Sequence, residues 1–457
     1  MRSVRIGAGQ GFYGDTPDGA VAVAERGDVS YICCDSLAEL TMAILQKDKL
    51  RHDDGGFARD LPAFMRALLP LARERRIRII TNAGGMNPSA AARAVRVVAD
   101  ELGMSDVRVA TVIGDDITGR IDDLLGRGIH LRNMDTGADI ATIRDRVVFA
   151  VAYLGARPIV DALERGADVV VTGRVADASL FVAPMVHELG WRWDDWDRLA
   201  AGVVVGHLME CSGQATGGNF SGDWWNIPDL DRVGYPVCEM SDDGSALLTK
   251  PIQTGGRVSL ETVSEQLLYE VLDPRRYLNP DVIADFTSVQ LEQVSTDTVS
   301  ASGVRGSARP GELKAIIGHL DGWLGAATIG YSWPHALAKA RHAAILIDRL
   351  AQRAGVVPLE QVVEYIGIDS LHGDAADIVH AADANEVVLR VAGRFAAEAD
   401  ARAFPRLAMP LALNGPPFIG GAGAPQPARA LLGVWPALLP REAVEELVAV
   451  AVDEPSP

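Results

Sequence analysis

The chain alternates short β-rich runs with helix-length amphipathic segments from Val4 to about Glu188. The runs are rich in β-branched residues and include VRI, VSYICC, RIRIIT, VRVATVI, VVFAVAYL and DVVVT. Strands that are separated by helices are typical of right-handed βαβ units, whose strands pair in parallel. The pattern therefore predicts an α/β fold with an open, mostly parallel sheet and helices on both faces.

The length of 457 residues exceeds what one hydrophobic core usually supports. A glycine- and tryptophan-rich stretch near 211–228 predicts a flap, because it has neither helical nor strand periodicity. Later in the chain the pattern of predicted elements changes to strand-like runs and one long helix near 336–354. We therefore predict an α/β domain over 1–280 that carries the functional site, followed by a smaller α+β domain over 281–457.

The net charge of −18 and the pI near 4.9 disfavour nucleic acid and anionic lipid as partners, because both are bound through concentrated Lys and Arg. A small anionic substrate is still possible, since one arginine or helix N-terminus can bind it. The four cysteines show no disulfide or C-x-x-C metal pattern, and no secretory core or membrane-length apolar run occurs. We expect a cytoplasmic protein with no nucleic acid or membrane partner.

A glycine-rich turn follows the first predicted strand, with Gly9, Gly11 and Gly14 in the spacing G-x-G-x-x-G. Asp35 closes the next strand, where a dinucleotide-binding fold places its ribose-binding carboxylate. Against this function, two aromatic residues fill the turn and Asp15 puts a negative charge where pyrophosphate would lie. Three interpretations stay open: a dinucleotide site, a structural turn, or a site for another polar substrate that these residues line.

Two later strands end in loops of similar composition. The first loop contains Asn82, Gly84, Gly85 and Asn87, and the second contains Thr172, Gly173, Arg174 and Asp177. Ligands in open α/β sheets bind outside the carboxyl ends of the strands. Arg174 can hold a carboxylate, a phosphate or a thioester-linked anion, with Asp177 orienting it. The structural alternatives are that Asn87 caps a helix and that Arg174 and Asp177 form a buried pair that only locks the loop.

The segment GHLMECSGQATGG places His207 and Glu210 on one helical face. It continues with Cys211, Ser212, Gln214, Gly217 and Gly218. A carboxylate beside an imidazole can perform general acid–base chemistry, and the glycine-rich part can fold over a substrate. The alternative is a structural histidine and a glutamate that bonds backbone. Cys211 is disfavoured as a nucleophile, because nothing in the sequence shows that His207 would activate it.

The nearest approaches to metal-ligand spacing are His52-Asp53-Asp54 and His130 with Asp135. Neither gives a coherent set of three ligands. We therefore expect no metal and no cofactor.

Several of these motifs together resemble the acyclic terpene utilisation (AtuA-like) family. The resemblance is carried by IGAGQGFYGD, DSLAELTM, TNAGGMNP, TGRVADASL, GHLMECSGQATGG and TVSEQLLYEVLDP, and it covers the first 280 residues. It implies a role in the catabolism of branched or terpenoid acids, as CoA thioesters, since genes of this family lie beside those for acyl-CoA carboxylases, dehydrogenases and hydratases in bacteria. The matching motifs are also the loops selected above.

We therefore expect an enzyme that acts on a branched carboxylic acid or its acyl-CoA by hydration, dehydration or related lyase or hydrolase chemistry. Glu210, His207 and Asp177 are the expected catalytic residues, and the strand-end loops bind the substrate. The alternatives are a non-catalytic scaffold subunit of an acyl-CoA carboxylase or dehydrogenase system, and an NAD(P)-dependent oxidoreductase. We also expect a homo-oligomer. If the loops form one site, the side chains of Arg174 and Glu210 lie within roughly 15 Å of each other.

Overall fold

The computed structural model describes residues 2–379, 381 and 384–453. The strands, in chain order, are β1 (Ser3–Gln10), β2 (Tyr31–Cys34), β3 (Arg78–Thr81), β4 (Val109–Ile113), β5 (Val147–Ala152), β6 (Val169–Thr172), β7 (Val237–Ser241), β8 (Ala246–Thr249), β9 (Tyr277–Asn279), β10 (Val282–Asp285), β11 (Gln290–Ser295), β12 (Thr298–Ser302), β13 (Arg305–Ser307), β14 (Glu312–Ser332), β15 (Glu360–Ile366), β16 (Glu386–Phe395), β17 (Ile419–Ala422), β18 (Arg429–Pro440) and β19 (Ala449–Val452).

The α-helices, in chain order, are α1 (Pro17–Arg26), α2 (Glu39–Lys49), α3 (Leu61–Arg75), α4 (Pro88–Glu101), α5 (Ile121–Gly126), α6 (Arg157–Glu164), α7 (Ser179–Leu189), α8 (Trp196–Met209), α9 (Leu260–Leu268), α10 (Ala336–Ala354), α11 (Glu398–Ala403), α12 (Leu411–Asn414) and α13 (Glu442–Glu445).

The chain forms two compact units. The larger one contains the residues up to 144, 148–317 and the residues from 435 onward, and the smaller one contains 145–147 and 318–434. The larger unit therefore includes residues on both sides of the boundary that the sequence predicts after residue 280.

One mixed sheet organises the larger unit, with the strand order β11-β12-β8-β7-β1-β2-β3-β6-β4-β19. The strands β1, β2, β3, β6 and β4 are parallel, as the alternating sequence pattern predicts. All the other pairs are antiparallel, so the predicted α/β class is confirmed but the sheet is not mostly parallel. Tight turns join β7 to β8 and β11 to β12 and make these two pairs antiparallel, whereas the other three antiparallel pairs join strands that are distant in sequence.

The helices of the larger unit pack in two series. Helices α1, α3 and α4 contact one another in turn, and so do α6, α7 and α8. Strands β4 and β6 contact both α4 and α6, so both series pack against the same sheet. Helix α8 is apolar around its whole circumference, because it also packs against β10, β13 and α9, and its residues Leu199–Met209 are all buried.

The smaller unit is built on antiparallel strands in the order β15-β16-β14-β17. Helix α10 packs on β16, and the core includes Tyr331, Ile347, Leu389 and Phe404.

Candidate active site

The carboxyl ends of the parallel strands are aligned by the register of the sheet. Gln10 pairs with Cys34, Cys34 with Thr81, and Thr81 with Val171. The residues that follow these strands therefore leave the sheet at one edge, where ligands of α/β proteins bind.

Three carboxylates come together beyond this edge, those of Asp35, Asp177 and Glu210. One oxygen from each lies within 4.8 Å of the others, and we call these residues the acidic cluster. Asp35 and Glu210 are 5% and 6% exposed, whereas the Asp177 side chain is 33% exposed. The cluster is therefore open to solvent mainly at Asp177.

The buried guanidinium of Arg174 neutralises part of this charge. Its Nη1 donates to Asp177 Oδ1 at 2.7 Å and to the carbonyl oxygen of Leu37 at 2.8 Å. Its Nε has no hydrogen-bond partner among the described residues. Arg174 and Glu210 thus both border Asp177, well inside the limit expected for one site. The Arg174–Asp177 ion pair, which the sequence analysis gives as a structural alternative, is also present. The positive charge of Arg174 also acts on the Asp35 carboxylate of the acidic cluster.

Asn82 fixes the position of Asp35. The Asn82 side-chain amide donates to Asp35 Oδ1 at 2.7 Å, and its oxygen accepts the Ser36 N–H at 2.7 Å. Burial raises the pKa of Asp35 well above its ordinary value, and the neighbouring Asp177 raises it further. Asp35 therefore carries a proton more readily than an exposed aspartate does.

Sequence reasoning missed three residues beside Arg174. The ring centroid of Tyr153 lies 4.2 Å from the Arg174 guanidinium carbon, and the Tyr153 hydroxyl donates to Glu39 at 2.7 Å. Lys314 also donates to Glu39, at 3.2 Å. Burial opposes ionisation of Glu39, but these two donors lower its pKa to about 2. Glu39 lies in the motif DSLAELTM, but Tyr153 and Lys314 lie in no recognisable motif, so only the fold brings the three together.

His207 and Glu210 share one proton. The Gln266 carbonyl oxygen lies 2.9 Å from His207 Nε2 and can only accept, so this nitrogen carries a hydrogen. His207 Nδ1 lies 3.1 Å from Glu210 Oε1, and this contact needs one more proton, on either atom. The other carboxylate oxygen, Glu210 Oε2, is buried and has no hydrogen-bond partner among the described residues. Glu210 therefore shares a proton with His207 through Oε1, while its Oε2 has no hydrogen-bond partner among the described residues.

Burial raises the pKa of Glu210 to about 7, even though the hydrogen bond and charge of His207 act to lower it. A carboxylate with this pKa exchanges protons readily at neutral pH, as general acids and bases require.

This raised pKa predicts an unusual dependence of stability on pH. The folded protein holds the Glu210 proton more tightly than the unfolded chain does, so the stabilisation is complete below about pH 4.5 and is lost as the pH rises to about 7. We expect the unfolding free energy of Glu210→Gln to rise relative to wild type across this interval, by at most roughly 3 kcal/mol because His207 shares the proton. Urea denaturation at several pH values measures the difference. A difference that does not vary with pH contradicts the burial of an ionisable Glu210.

Cys211 lies next to Glu210 but is unsuited to nucleophilic attack. Burial raises the pKa of its thiol above the ordinary value, and the charge of Glu210 raises it further. Both ring nitrogens of His207 are engaged by Glu210 and Gln266. The thiol therefore stays protonated at neutral pH, and no described imidazole is placed to activate it.

The glycine-rich turn binds carboxylates of the protein itself. Asp15 accepts the Gly11 N–H at 3.1 Å, the Thr16 N–H at 2.8 Å and the Tyr235 hydroxyl at 2.6 Å. Asp60 accepts the Gly14 N–H at 2.8 Å. The donors that would bind pyrophosphate in a dinucleotide site are thus already paired with negative groups.

The glycine-rich turn, the Asn82 loop, the end of β6 and the segment after α8 lie against one another in pairs. A Cβ atom added to Gly11 would lie 2.3 Å from the Ser212 nitrogen, and one added to Gly84 would lie 2.4 Å from the Thr172 carbonyl oxygen. These close approaches require glycine and bring the turn against the segment after α8, and the Asn82 loop against the end of β6.

Other candidate residues have mainly structural contacts. Asn87 caps α4 by accepting the Ala90 N–H at 3.2 Å. The Thr172 hydroxyl donates to the Gly173 carbonyl oxygen, and Gln214 begins a 3-10 turn. The glycines lie close to neighbouring residues: Gly9 to the Ile32 and Cys34 side chains, Gly85 to Leu45, Gly173 to Asp115, Gly217 to Ile227 and Gly218 to the Gly213 backbone. These residues shape the loops around the acidic cluster and are not part of it.

Within the described chain, the acidic cluster is also the group whose ligand atoms are spaced for a metal ion. Arg174 already supplies a positive charge there, so the expected metal independence stays a prediction.

No helix among the described residues is long and apolar enough to cross a membrane.

Comparisons with known proteins identify a family and nothing closer. No curated protein and no solved structure matches the chain. A family model described as acyclic terpene utilisation family protein AtuA matches residues 4–450, nearly the whole length. The chain therefore belongs to the acyclic terpene utilisation AtuA family.

Proposed function

We propose that this AtuA family protein is an enzyme that moves a proton during the breakdown of a branched or terpenoid carboxylic acid or its acyl-CoA ester. The reaction class is hydration or dehydration, or a related lyase or hydrolase reaction. The observation that carries the proposal is the Glu210 carboxylate, which shares a proton with His207 through Oε1 and keeps a buried, unpaired Oε2. The family's description supports the class of substrate.

Each residue has a distinct role in a dehydration. Glu210 Oε2 accepts the proton from the carbon next to the substrate carbonyl, while His207 holds its own proton and keeps Glu210 in place. The Nε–H of Arg174, which has no partner among the described residues, donates to the carbonyl oxygen as negative charge develops there. Asp35 enters protonated and gives its proton to the departing hydroxyl group, which leaves as water. Hydration follows the same steps in reverse.

The substrate reaches the cluster from the side of Asp177. The flap at 211–228 follows Glu210 directly, so we propose that it covers this side; its Trp224 and Trp225 are 56% and 67% exposed. Within the flap, residues 221–226 are held by surface contacts that break at little cost: Ser221 donates to Glu265 and Asp223 pairs with Arg257, both at 2.7 Å. The flap closes over the bound substrate and excludes water from the reacting atoms.

The two alternatives are weaker. Pyrophosphate would have to displace Asp15 and Asp60 from the glycine-rich turn, which disfavours a nicotinamide-dependent oxidoreductase. A scaffold subunit gives no reason for the chain to bury Glu210 Oε2 without a partner, because an unsatisfied buried acceptor costs about 1–3 kcal/mol.

A ligand screen tests the proposal. We expect branched carboxylic acids or their acyl-CoA esters to raise the melting temperature, because a ligand at about 100 times its Kd adds roughly 2.7 kcal/mol of stability. NAD, NADP and free CoA form the comparison set, and each stabilising ligand is then assayed for conversion. Stabilisation by NAD or NADP would favour the oxidoreductase, and binding without conversion would favour the scaffold.

Divalent cations form a second arm of the screen. We expect Mg²⁺ and Mn²⁺ to leave the melting temperature unchanged, because protons and Arg174 balance the charge of the acidic cluster. A saturable rise with either cation would replace the proton-transfer mechanism with a metal-assisted one.

A further inference from the structure

A second site lies in the larger unit, in a cavity that none of the acidic-cluster residues lines. The cavity has a volume of about 480 Å³ and extends along α6 toward α13 and β19. Four arginines line it, namely Arg157, Arg165, Arg309 and Arg441. A concentration of arginines is unexpected in a chain whose net charge is −18.

The acidic residues of the cavity do not neutralise all four arginines. Arg165 pairs with Asp161 at 2.6 Å. Arg309 and Arg441 share one carboxylate oxygen of Glu445, at 3.0 and 2.8 Å. The remaining acid, Asp281, is 5% exposed and accepts the Ala156 N–H at 2.8 Å and the Ser179 hydroxyl at 3.0 Å.

Arg157 is the arginine of the cavity without a direct ion pair among the described residues, although the charges of Asp281 and Glu445 act on it. Its guanidinium carbon lies 4.4 Å from the ring centroid of Trp193, and it makes no hydrogen bond or ion pair with any described residue. The stacked ring holds the guanidinium plane in place and leaves its N–H groups for a ligand. Arg157 also opens α6, so the positive end of that helix lies at the same cavity.

The remaining guanidiniums reinforce this charge. Arg441 is 6% exposed, and burial lowers its pKa, as do the nearby positive charges of Arg309 and Arg157. Burial and Arg309 likewise lower the pKa of Arg157, while the charges of Asp281 and Glu445 raise it. A bound anion would relieve the repulsion among these three arginines.

We propose that this cavity binds a small organic anion, a phosphate ester or a carboxylate, whose charged group pairs with Arg157 and whose body lies against the apolar wall. The wall is formed by Leu154, Pro158, Leu313, Val448 and Val450. Arginine binds both anions through paired N–H donors, and the volume falls in the range of small-molecule sites. The proposal does not depend on the chemistry of the acidic cluster.

Titration calorimetry with three probes tests the proposal: inorganic phosphate, phenyl phosphate and 3-methylbutyrate. We expect phenyl phosphate or 3-methylbutyrate to bind with a Kd below about 1 mM and more tightly than inorganic phosphate. The tighter of the two organic probes identifies the anion class. Arg157→Gln should weaken the binding about tenfold or more, because a hydrogen-bonded charge is lost.

Two variants control the experiment. Arg93→Gln removes an exposed arginine that pairs with Asp54 and does not line the cavity. This variant should bind the probes as wild type does. Glu210→Gln should also bind them unchanged, because Glu210 does not line the cavity. Arg157 makes no hydrogen bond or ion pair among the described residues and its variant loses only the contact with Trp193, so it should melt within a few degrees of wild type. If no organic probe binds below about 1 mM, or if Arg157→Gln binds as tightly as wild type, the cavity is not an anion site.

Discussion

Glu210→Gln is expected to lower kcat by about 100- to 10,000-fold while the protein stays folded. The amide keeps the shape of the side chain and can still contact His207, but it cannot accept a proton from the substrate. The effect is measured as the initial rate of conversion. The substrate is the acid or acyl-CoA ester that raises the melting temperature most in the ligand screen. KM should change little, because Arg174 and the loops hold the substrate.

The matched control is Glu101→Gln, which removes an exposed glutamate that pairs with Arg66 on the surface. This variant should retain wild-type activity. Full activity in Glu210→Gln would reduce Glu210 to a structural partner of His207 and would remove the basis of the proposed mechanism.

Arg174→Met should lower the free energy of unfolding by about 3–5 kcal/mol at pH 8. The variant keeps much of the side-chain volume but leaves Asp35, Asp177 and Glu210 without their buried positive charge. The pKa of Asp35 in the folded state should rise further, because Arg174 lowers it in the wild type, so the folded protein takes up protons more readily than the unfolded chain. The loss of stability should therefore be smaller at pH 5 than at pH 8.

Denaturation in urea at the two pH values measures the loss, and Arg192→Met serves as the control because its side chain is 78% exposed. That variant should lose less than about 1 kcal/mol at either pH. An equal loss for Arg174→Met at pH 5 and pH 8 would mean that packing, and not charge, explains the role of Arg174.

The sequence selects the three residues of the acidic cluster as candidates, but it does not predict that their carboxylates meet. Asp35 and Arg174 follow parallel strands, and connectivity alone brings such residues to one edge. Glu210 stands out because His207 and a glycine-rich segment accompany it. The antiparallel extension beyond β1 was missed, because hairpins late in the chain give no sign of which edge they will join.

Contacts between distant positions explain the other gaps. Tyr153 and Lys314 reach Glu39 from 114 and 275 positions away, and no local pattern reports such pairings. The arginine-lined cavity is likewise assembled from α6 and from residues near 309 and 441. The sequence pattern indicates Asp35 as a possible ribose-binding residue, whereas in the fold its carboxylate lies close to those of Asp177 and Glu210.

The Asp15 carboxylate also constrains the order in which the chain can fold during synthesis. Its partners Ser212 and Tyr235 are 197 and 220 positions further along the chain, and β7, which flanks β1, follows them directly. At about 5–20 residues per second, a ribosome needs roughly 10–45 s to add the intervening segment. During that time β1 has an open edge and the glycine-rich turn lacks both hydroxyl partners, so the nascent N-terminal strands can pair with other chains until the later segment emerges.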